Sequence, residues 1–494
     1  MRIATIPSIG IIMVAALLTL LILHGRVAAY EGDAVAAQPP SAYLLMEAED
    51  AELDGTAVAD DTAGYSGSGY VTGFEQAGSS VHFHIQVDKE GFYPLYIGYA
   101  SVFGDKTNFV EVNGSTAGEK MFPYSPTFQE IGFGDVQLDE GENQISLSTY
   151  WGYFDVDYIK LGPRKERSPV QPVKPKLVTP QPSKQAQALM NYMADRYGKN
   201  MLAGQQWASS EEMDYIYSVS GKLPAIAGFT ASDFGDNARN WASWGGIVAV
   251  EWHWEAPMGG REFFAAKTSF DASRAVVAGT EENRLLLEDL DRMADILKTF
   301  RDAGIPVLWR PLHEAEGGWF WWGAKGPNVA KQLYAIMFDR FTRQHRLNNL
   351  IWVWTTSDTL YSKDWYPGDD SVDIIGVDRY VKAGDYSPLL SVYDSLVDMV
   401  GGRKLVAYLE NGPIPDPREL RKNKVGWLYF NTWNGKFIMD GLINSEHHVR
   451  TVYNHPYVVT LDKFPSESIY GKPPLPYPYP ARKQPAGAAE TGHN

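Results

Sequence analysis

The sequence predicts an N-terminal all-β sandwich of the jelly-roll type, followed by a C-terminal (β/α)8 TIM barrel. Residues 43–163 contain short runs in which apolar and polar positions alternate, whereas residues 184–464 contain eight nearly continuous apolar runs. Alternation with a period of two is typical of strands buried on one face, and continuous apolar runs are typical of a parallel sheet covered on both faces. A Pro-rich stretch at 164–183 separates the two patterns, so we expect two domains.

The composition excludes several classes of protein. Of the 494 residues, 44 are Lys or Arg and 60 are Asp or Glu, which gives a formal net charge of −16. This argues against a nucleic-acid partner, because no basic excess is available to neutralise phosphates. The absence of Cys excludes disulfide scaffolds, thiolate metal sites and cysteine nucleophiles. Aromatic residues make up 13 % of the chain, and such rings stack on flat, partly apolar ligands such as sugars.

Residues 1–29 are typical of a signal peptide. Arg2 gives a positive start, residues 6–23 are almost all apolar, and Val27, Ala28 and Ala29 form a small-residue cleavage pattern. The alternative is an uncleaved anchor, since the run approaches the ~20 residues that span a bilayer. Pro7 and the early cleavage pattern favour the signal. We therefore expect a secreted, extracellular protein without membrane association after cleavage.

The predicted sandwich covers residues 43–163. Alternating runs at 81–85 and 144–147, with Gly-rich turns between the strands, are typical of this class. Residues 164–183 follow, and their five prolines disfavour both helix and sheet, so we expect a semi-rigid, extended linker.

The barrel is predicted over residues 184–464, and residues 465–494 are predicted to be a Pro-rich tail. The eight strand-like runs are 201–207, 223–230, 247–254, 306–314, 350–356, 372–380, 404–410 and 426–433. Helical periodicity lies between them, and eight such units match a barrel whose active site lies at the C-terminal ends of the strands. A doubly wound open sheet is the alternative, but no Gly-rich phosphate-binding pattern follows an early strand.

Two of these runs end in a carboxylate. Glu314 ends the fourth run and Glu410 ends the seventh. A carboxylate pair across a barrel mouth suits cleavage of a glycosidic bond, with one member as proton donor and the other as nucleophile or base. Three tryptophans follow Glu314 within eight residues, and apolar neighbours raise a carboxyl pKa as a general acid requires. Arg310 and Tyr380 are donors that can keep Glu410 ionised.

Other residues near strand ends compete for these roles. Strand alternation places Glu251 and His253 on one face, where His253 either contacts sugar hydroxyls or is a core histidine bound to a carbonyl. Trp254 and Trp433 are candidate stacking platforms, with packing as the alternative. Glu316 falls two residues beyond its strand, so we expect it to face solvent or bind substrate.

The run WRPLHE with the following Gly-Trp cluster, the segment 377–380 and the late Glu410 resemble glycoside hydrolase family 26. This resemblance covers about residues 184–464 and implies a (β/α)8 barrel with its acid/base on strand four and its nucleophile on strand seven. Members are mostly endo-β-1,4-mannanases, with rarer mixed-linkage glucanases and β-1,3-xylanases. Carried over by position, Glu314 is the acid/base and Glu410 the nucleophile. The candidate substrate-binding residues are His253, Trp254, Arg310, His313, Trp319, Asp378, Tyr380 and Trp433.

Residues 43–163 resemble carbohydrate-binding module family 35. The resemblance rests on the segments 46–49, 64–70, 150–153 and 155–161. It implies a structural calcium ion held by Glu47, Glu49 and Asp157, and the alternative is an acidic, solvated strand face. Tyr65 and Trp151 are the candidate sugar contacts, with edge packing as the alternative. No cofactor is expected for catalysis.

These observations together predict a secreted, monomeric, retaining endo-β-1,4-mannanase. Its expected substrates are polysaccharides of the mannan type, namely mannan, glucomannan and galactomannan, cleaved at internal bonds by double displacement. The alternatives are a β-1,3-xylanase or a mixed-linkage β-glucanase on the same scaffold, and a catalytically silent carbohydrate-binding protein. The presence of both Glu314 and Glu410 argues against the silent protein, which has no need of the pair.

Overall fold

The structure is a computed structural model that describes residues 43–231, 235–359 and 361–478. The predicted signal peptide and the end of the predicted tail lie outside the described residues. Within these ranges, no helix has both the length and the apolar character that crossing a membrane requires. An antiparallel sandwich precedes a closed parallel barrel of eight strands, so the predicted fold class is confirmed.

Two antiparallel sheets form the sandwich. Its strands are β1 (Leu44–Glu47), β2 (Glu52–Asp54), β3 (Ala57–Ala59), β4 (Tyr70–Thr72), β5 (Ser80–Val87), β6 (Gly91–Ser101), β7 (Lys106–Val112), β8 (Ser115–Phe122), β9 (Ser125–Leu138), β10 (Gly141–Ser148) and β11 (Asp155–Leu161). One sheet has the order β3-β4-β11-β6-β9, with β1 also paired to β11, and the other has the order β2-β5-β10-β7-β8. Val81, Phe83 and Ile85 of β5 are buried while His84 is exposed, as the alternation predicts.

The Pro-rich segment 164–183 contains neither helix nor strand. Its second half nevertheless packs on the barrel, because Val173 and Leu177 are buried in the barrel core. The Thr179 hydroxyl donates to the Leu350 carbonyl at 2.9 Å. These contacts tie the segment to the barrel surface.

All eight predicted runs contribute one strand to the barrel. These are β13 (Gly204–Gln205), β14 (Ile226–Thr230), β15 (Ile247–Glu251), β16 (Val307–Arg310), β17 (Leu350–Thr356), β18 (Ile374–Arg379), β19 (Leu405–Asn411) and β20 (Phe430–Thr432). Two further short strands, β12 (Met201–Leu202) and β21 (Val458–Val459), pair in parallel beside the barrel. Since β17 and β19 are buried along their whole length, the continuous apolar runs have a direct cause.

Helices cover the outside of the barrel strands. They are α1 (Lys184–Arg196), α2 (Ser210–Ser220), α3 (Gly235–Ser243), α4 (Ala272–Ala275), α5 (Glu281–Asp302), α6 (Pro327–Asp339), α7 (Ser362–Trp365), α8 (Leu390–Met399), α9 (Pro417–Lys422), α10 (Lys436–Met439), α11 (Glu446–Asn454) and α12 (Ser466–Tyr470). In α5, Thr280 caps the N-terminus and Leu286, Leu290 and Leu297 form a buried stripe. The described start of the predicted tail packs as well, because the Tyr470 hydroxyl donates to the Gly246 carbonyl at 2.5 Å.

Candidate active site

Three carboxylates meet at the C-terminal end of the barrel. Glu314 follows β16, Asp378 lies near the end of β18, and Glu410 lies near the end of β19. Each offers one carboxylate oxygen, and these three atoms all lie within 4.8 Å of one another. The structure therefore brings the predicted acid/base and the predicted nucleophile face to face.

Irregular backbone geometry orients the side chains of Glu410 and Glu314. Val377 pairs with Tyr408 and Asp378 pairs with Glu410, so Leu409 is an extra residue that forms a β-bulge in β19. A bulge bends its strand and redirects the next side chain, as is common beside active sites. Glu314 itself has a φ of 52° and a ψ of 28°. This left-handed conformation costs a residue with a Cβ roughly 1–2 kcal/mol, which the surrounding fold must offset.

Arg310 is the charged centre of the site. Its buried guanidinium donates through Nη2 to Glu251 and Glu410, and through Nη1 to Asp378 at 2.9 and 3.1 Å. One cation therefore faces three carboxylates in a buried environment. Because a buried charge is costly unless it is paired, each of these groups depends on the others.

The carboxyls of Glu314 and Glu410 differ in their hydrogen-bond environment. Burial raises the pKa of both Glu314 and Glu410 to about 7. For Glu410 this effect is opposed by the Arg310 guanidinium and by the Tyr380 hydroxyl, which donates at 2.7 Å. Glu314 receives one neutral hydrogen bond, from Trp319 Nε1 at 3.1 Å, and the charge of Glu410 raises its pKa further. We infer that Glu410 loses its proton first, so that Glu314 holds the proton near neutral pH.

A histidine pair lies beside the carboxylates. The Nε2 atoms of His253 and His313 are 3.3 Å apart, and His253 Nδ1 is 3.5 Å from Glu251. Burial lowers the pKa of His253 to about 4 and that of His313 well below its usual value. Both rings are therefore neutral near pH 7, and each can offer a donor and an acceptor to a polar ligand.

Three tryptophans lie near the carboxylates or their partners. Trp319 is 46 % exposed and follows the fourth strand. The rings of the half-buried Trp433 and the exposed Trp207 are 5.3 Å apart, and Trp207 Nε1 donates to Glu251 at 2.6 Å. Trp207 was not among the predicted site residues, although it ends the first strand-like run. The only sequence signal for it was a tryptophan at a strand end.

Two expectations require revision. Trp254 is only 2 % exposed and its Nε1 donates to Asp289 at 3.1 Å, so its ring is mostly packed, which was the alternative to a stacking platform, and it only borders the cavity that Trp207 and His253 line. Glu316 does not face solvent. Its carboxylate accepts from Thr356 at 2.8 Å and from Ser362 at 2.6 Å. Glu316 therefore holds the segment after β17 against the turn that carries Glu314.

The residues predicted in the sandwich fall in two places. Trp151 borders the catalytic cleft, whereas Tyr65 is half-buried with its ring 5.7 Å from that of Tyr70. Near Tyr65, the Ser66 hydroxyl donates to Glu47 at 2.6 Å, and the Ser66 amide donates to Asp157 at 2.9 Å.

Glu49 completes the acidic set in the sandwich. Its Oε1 accepts from the Gly69 amide at 3.1 Å, while Oε2 is buried without a hydrogen-bond partner. Burial raises the pKa of Asp157 to about 6, and the charges of Glu47 and Glu49 raise it further. A buried, unpartnered carboxylate oxygen beside two other carboxylates fits the oxygen ligands that calcium prefers.

Residues 178–463 match the model of glycosyl hydrolase family 26, which covers more than half of the chain. The chain belongs to this family. It is therefore a glycoside hydrolase, and the fold and the carboxylate pair agree with that assignment. Residues 44–164 match the family 35 carbohydrate-binding module, so this family 26 chain also carries such a module.

Similar proteins share both parts. A mannan endo-1,4-β-mannosidase from Thermothelomyces thermophilus is 40 % identical over 87 % of this chain and 92 % of its own. The mannan endo-1,4-β-mannosidase B of Piromyces sp. is 34 % identical over 86 % of this chain and 78 % of its own. The crystal structure of a Podospora anserina GH26-CBM35 β-(1,4)-mannanase has a TM-score of 0.59 at 36 % identity, with 86 % of this chain and 99 % of that chain covered.

Proposed function

We propose that this family 26 chain is a secreted, retaining endo-β-1,4-mannanase. The observation that carries the proposal is the pair Glu314 and Glu410, whose facing carboxylate oxygens lie within 4.8 Å. A retaining glycosidase holds its two carboxyl groups about 5–5.5 Å apart, whereas an inverting one needs about 6.5–9.5 Å to admit a water. The names of the similar proteins support β-1,4-mannan as the substrate.

The first step of the proposed reaction forms a glycosyl-enzyme. Glu410 attacks the anomeric carbon while Glu314 gives its proton to the glycosidic oxygen, so that the C–O bond breaks and the leaving chain departs with a hydroxyl. Arg310 and Tyr380 hold the Glu410 carboxylate in place through its two oxygens. In the second step Glu314 removes a proton from water, which attacks the anomeric carbon and frees Glu410.

The shape of the cleft supports cleavage within a chain. One cavity, with a volume of about 360 Å³, is bordered by Glu314, Trp319 and Tyr380. Another, with a volume of about 500 Å³, is bordered by Trp207 and His253, and His253 Nε2 lies 3.3 Å from Nε2 of His313, which is next to Glu314. Two separate open, aromatic-lined spaces offer room for sugar units beyond those at the cleaved bond.

A stereochemical experiment tests the reaction. We expect mannohexaose hydrolysis, followed by proton NMR within the first minutes, to show the β-anomer of the new reducing end before mutarotation. Initial appearance of the α-anomer would exclude double displacement.

Reducing ends should be released from mannan faster than from xylan or mixed-linkage glucan. Failure to release them from any of the three would favour a binding protein.

The pH profile should report the acid/base. Glu314 must be protonated to act as an acid, and burial raises its pKa to about 7. Activity is therefore present below this pKa and is lost as the pH rises through it. We expect the alkaline limb of kcat/KM to lie near pH 7 with soluble manno-oligosaccharides. In Trp319→Phe, which lacks the hydrogen bond that lowers this pKa, the limb should move to higher pH; a limb that moves down would contradict the assignment.

The proposed calcium ion would be held by Glu47, Glu49 and Asp157, and its role would be to stabilise the sandwich. Without an ion, the Asp157 carboxyl has a higher pKa in the folded sandwich than in the unfolded chain, so protonation favours folding. The unfolding temperature of the sandwich should therefore rise as the pH falls from 7 to 5. Added calcium should raise it at pH 7 and have little effect at pH 5. Calorimetry with calcium and with EDTA measures this. An equal calcium effect on Asp157→Asn would contradict the site.

Secretion is proposed from residues 1–29 alone. N-terminal sequencing of the protein recovered from culture medium should begin at Tyr30. Recovery only in the membrane fraction with an intact N-terminus would favour the anchor.

A further inference from the structure

We propose that the sandwich supplies a sugar subsite to the catalytic cleft, so that one glycan chain contacts both domains while it is being cleaved. The occupant is a pyranose unit of the same β-linked chain whose neighbouring units lie at Trp319 and Glu314. Trp151 is the main contact and Tyr150 is the second. This inference rests on the proposed function and adds a binding residue that lies outside the barrel.

The cavity beside the acid/base has walls from both domains. Tyr150 and Trp151, which follow β10 in the sandwich, border the same space of about 360 Å³ as Glu314, Trp319 and Tyr380 of the barrel. Trp319 is also the residue that donates to the Glu314 carboxylate. A sugar at Trp151 therefore lies in the open space that leads directly to the reacting bond.

The wall from the sandwich is fixed in position. Glu119 of β8 forms an ion pair with Arg379 of β18 at 2.6 Å, and both side chains are largely buried. The Tyr361 hydroxyl donates to Asp105 at 2.9 Å, and the Thr116 amide donates to Asp385 at 2.8 Å. These bonds come from the end of β18, from the segment that follows β18 and from the segment that follows β17. The position of Trp151 relative to the catalytic residues thus does not depend on the Pro-rich segment alone.

Tyr150 and Trp151 are both held by backbone hydrogen bonds; the Tyr150 ring packs on Phe109 at 4.9 Å, and the Trp151 ring is left open. The Trp151 amide donates to the Thr107 carbonyl at 2.9 Å, and the Tyr150 amide donates to Asn108 at 3.0 Å. The Trp151 side chain nevertheless remains 62 % exposed. An ordered backbone that presents an open indole to a polar cleft suits stacking on the C–H face of a pyranose.

The competing interpretation is that Trp151 belongs to an independent surface that binds polysaccharide. Such a surface raises the local concentration of polymer but does not change the turnover of short, soluble substrates. A subsite within the cleft acts instead on every soluble oligosaccharide long enough to reach it. Chain length therefore separates the two interpretations.

The test compares kcat/KM over β-1,4-manno-oligosaccharides of two to six units. We expect Trp151→Ala to lower kcat/KM about tenfold for the longest substrates and less than about twofold for the shortest one cleaved. Trp151→Phe should restore most of the loss. Tyr43→Ala, which removes another exposed aromatic ring of the sandwich, should match the unchanged protein at every length. Thermal unfolding of each variant checks that the fold is retained.

Three results would overturn the inference. Unchanged oligosaccharide kinetics with weaker retention on insoluble mannan would assign Trp151 to an independent surface. An equal loss of kcat/KM at all substrate lengths would assign Trp151 a structural role. A lowered unfolding temperature of Trp151→Ala, together with a change in kcat/KM that does not depend on substrate length, would do the same. If the unchanged protein cleaves a different β-glycan, the proposed substrate fails, and the same length series made from that glycan decides the subsite.

Discussion

Glu410→Gln and Glu314→Gln should each lower kcat on mannan by at least about 10³-fold, because each removes a group that acts only in bond breaking. Glu410→Gln cannot form the glycosyl-enzyme, and Glu314→Gln cannot protonate the leaving oxygen. The amides have nearly the same shape as the acids, so both variants should fold and bind mannohexaose with little change in affinity. Assays of reducing ends and equilibrium binding measure the two effects separately.

The two variants should differ with an activated substrate. An aryl β-mannobioside whose phenolate leaves without protonation should bypass the first role of Glu314, so Glu314→Gln should show a burst of phenolate followed by slow turnover. Azide should accelerate that second step, because it needs no general base, and the product should be a β-glycosyl azide. Glu410→Gln should show no burst. The opposite pattern would exchange the two assignments, and normal turnover in either variant would exclude the mechanism.

Arg310→Leu should destabilise the protein by about 3–5 kcal/mol, because it leaves Glu251, Asp378 and Glu410 buried without their shared cation. The effect should depend on pH. Loss of the guanidinium raises the pKa of the Glu410 carboxyl still further above that of the unfolded chain. A carboxyl whose pKa is raised on folding does not destabilise the protein at a pH below its unfolded pKa of 4.5. Above that pH the unfolded chain loses the proton more readily, so the free energy of unfolding falls as the pH rises toward the folded pKa.

The deficit in unfolding temperature should therefore be larger at pH 8 than at pH 5. Thermal unfolding at the two pH values measures it, and Arg284→Ala is the matched control. Arg284 also pairs with two carboxylates, Glu281 and Glu288, but on the exposed face of α5, where such pairs contribute at most about 1 kcal/mol. A deficit that does not change with pH would show that Arg310 acts through packing and not through charge.

The sequence was sufficient to predict the architecture and two of the carboxylates that meet at the end of the barrel. Eight apolar runs could be counted because parallel strands are buried on both faces, and Glu314 and Glu410 ended two of them. Arg310 could be proposed as a donor to Glu410. Its simultaneous contacts with Glu251 and Asp378 could not be predicted. They join strands three, four and six across the barrel, and such contacts leave no periodic signal along the chain.

Residues after the strand ends were harder to predict. Glu316 was expected at the surface because it lies two residues past its strand, yet a tight turn folds it back onto Thr356 and Ser362. Trp254 and Trp207 have similar positions in sequence, but Trp207 is 37 % exposed whereas Trp254 is 2 % exposed. Loop conformation decides such cases, and it depends on left-handed residues such as Trp207 itself, with a φ of 46°.

The ion pair between Glu119 and Arg379 has a consequence for how such chains can recombine during evolution. Arg379 stands between Asp378, which binds Arg310, and Tyr380, which binds Glu410. A foreign module joined to this barrel would remove Glu119 and leave Arg379 with Asp358, at 3.9 Å, as its remaining carboxylate, one residue from each of these contacts. A module acquired by recombination would therefore need an acidic residue at the position of Glu119, or a matching change at Arg379, to keep this buried guanidinium fully paired.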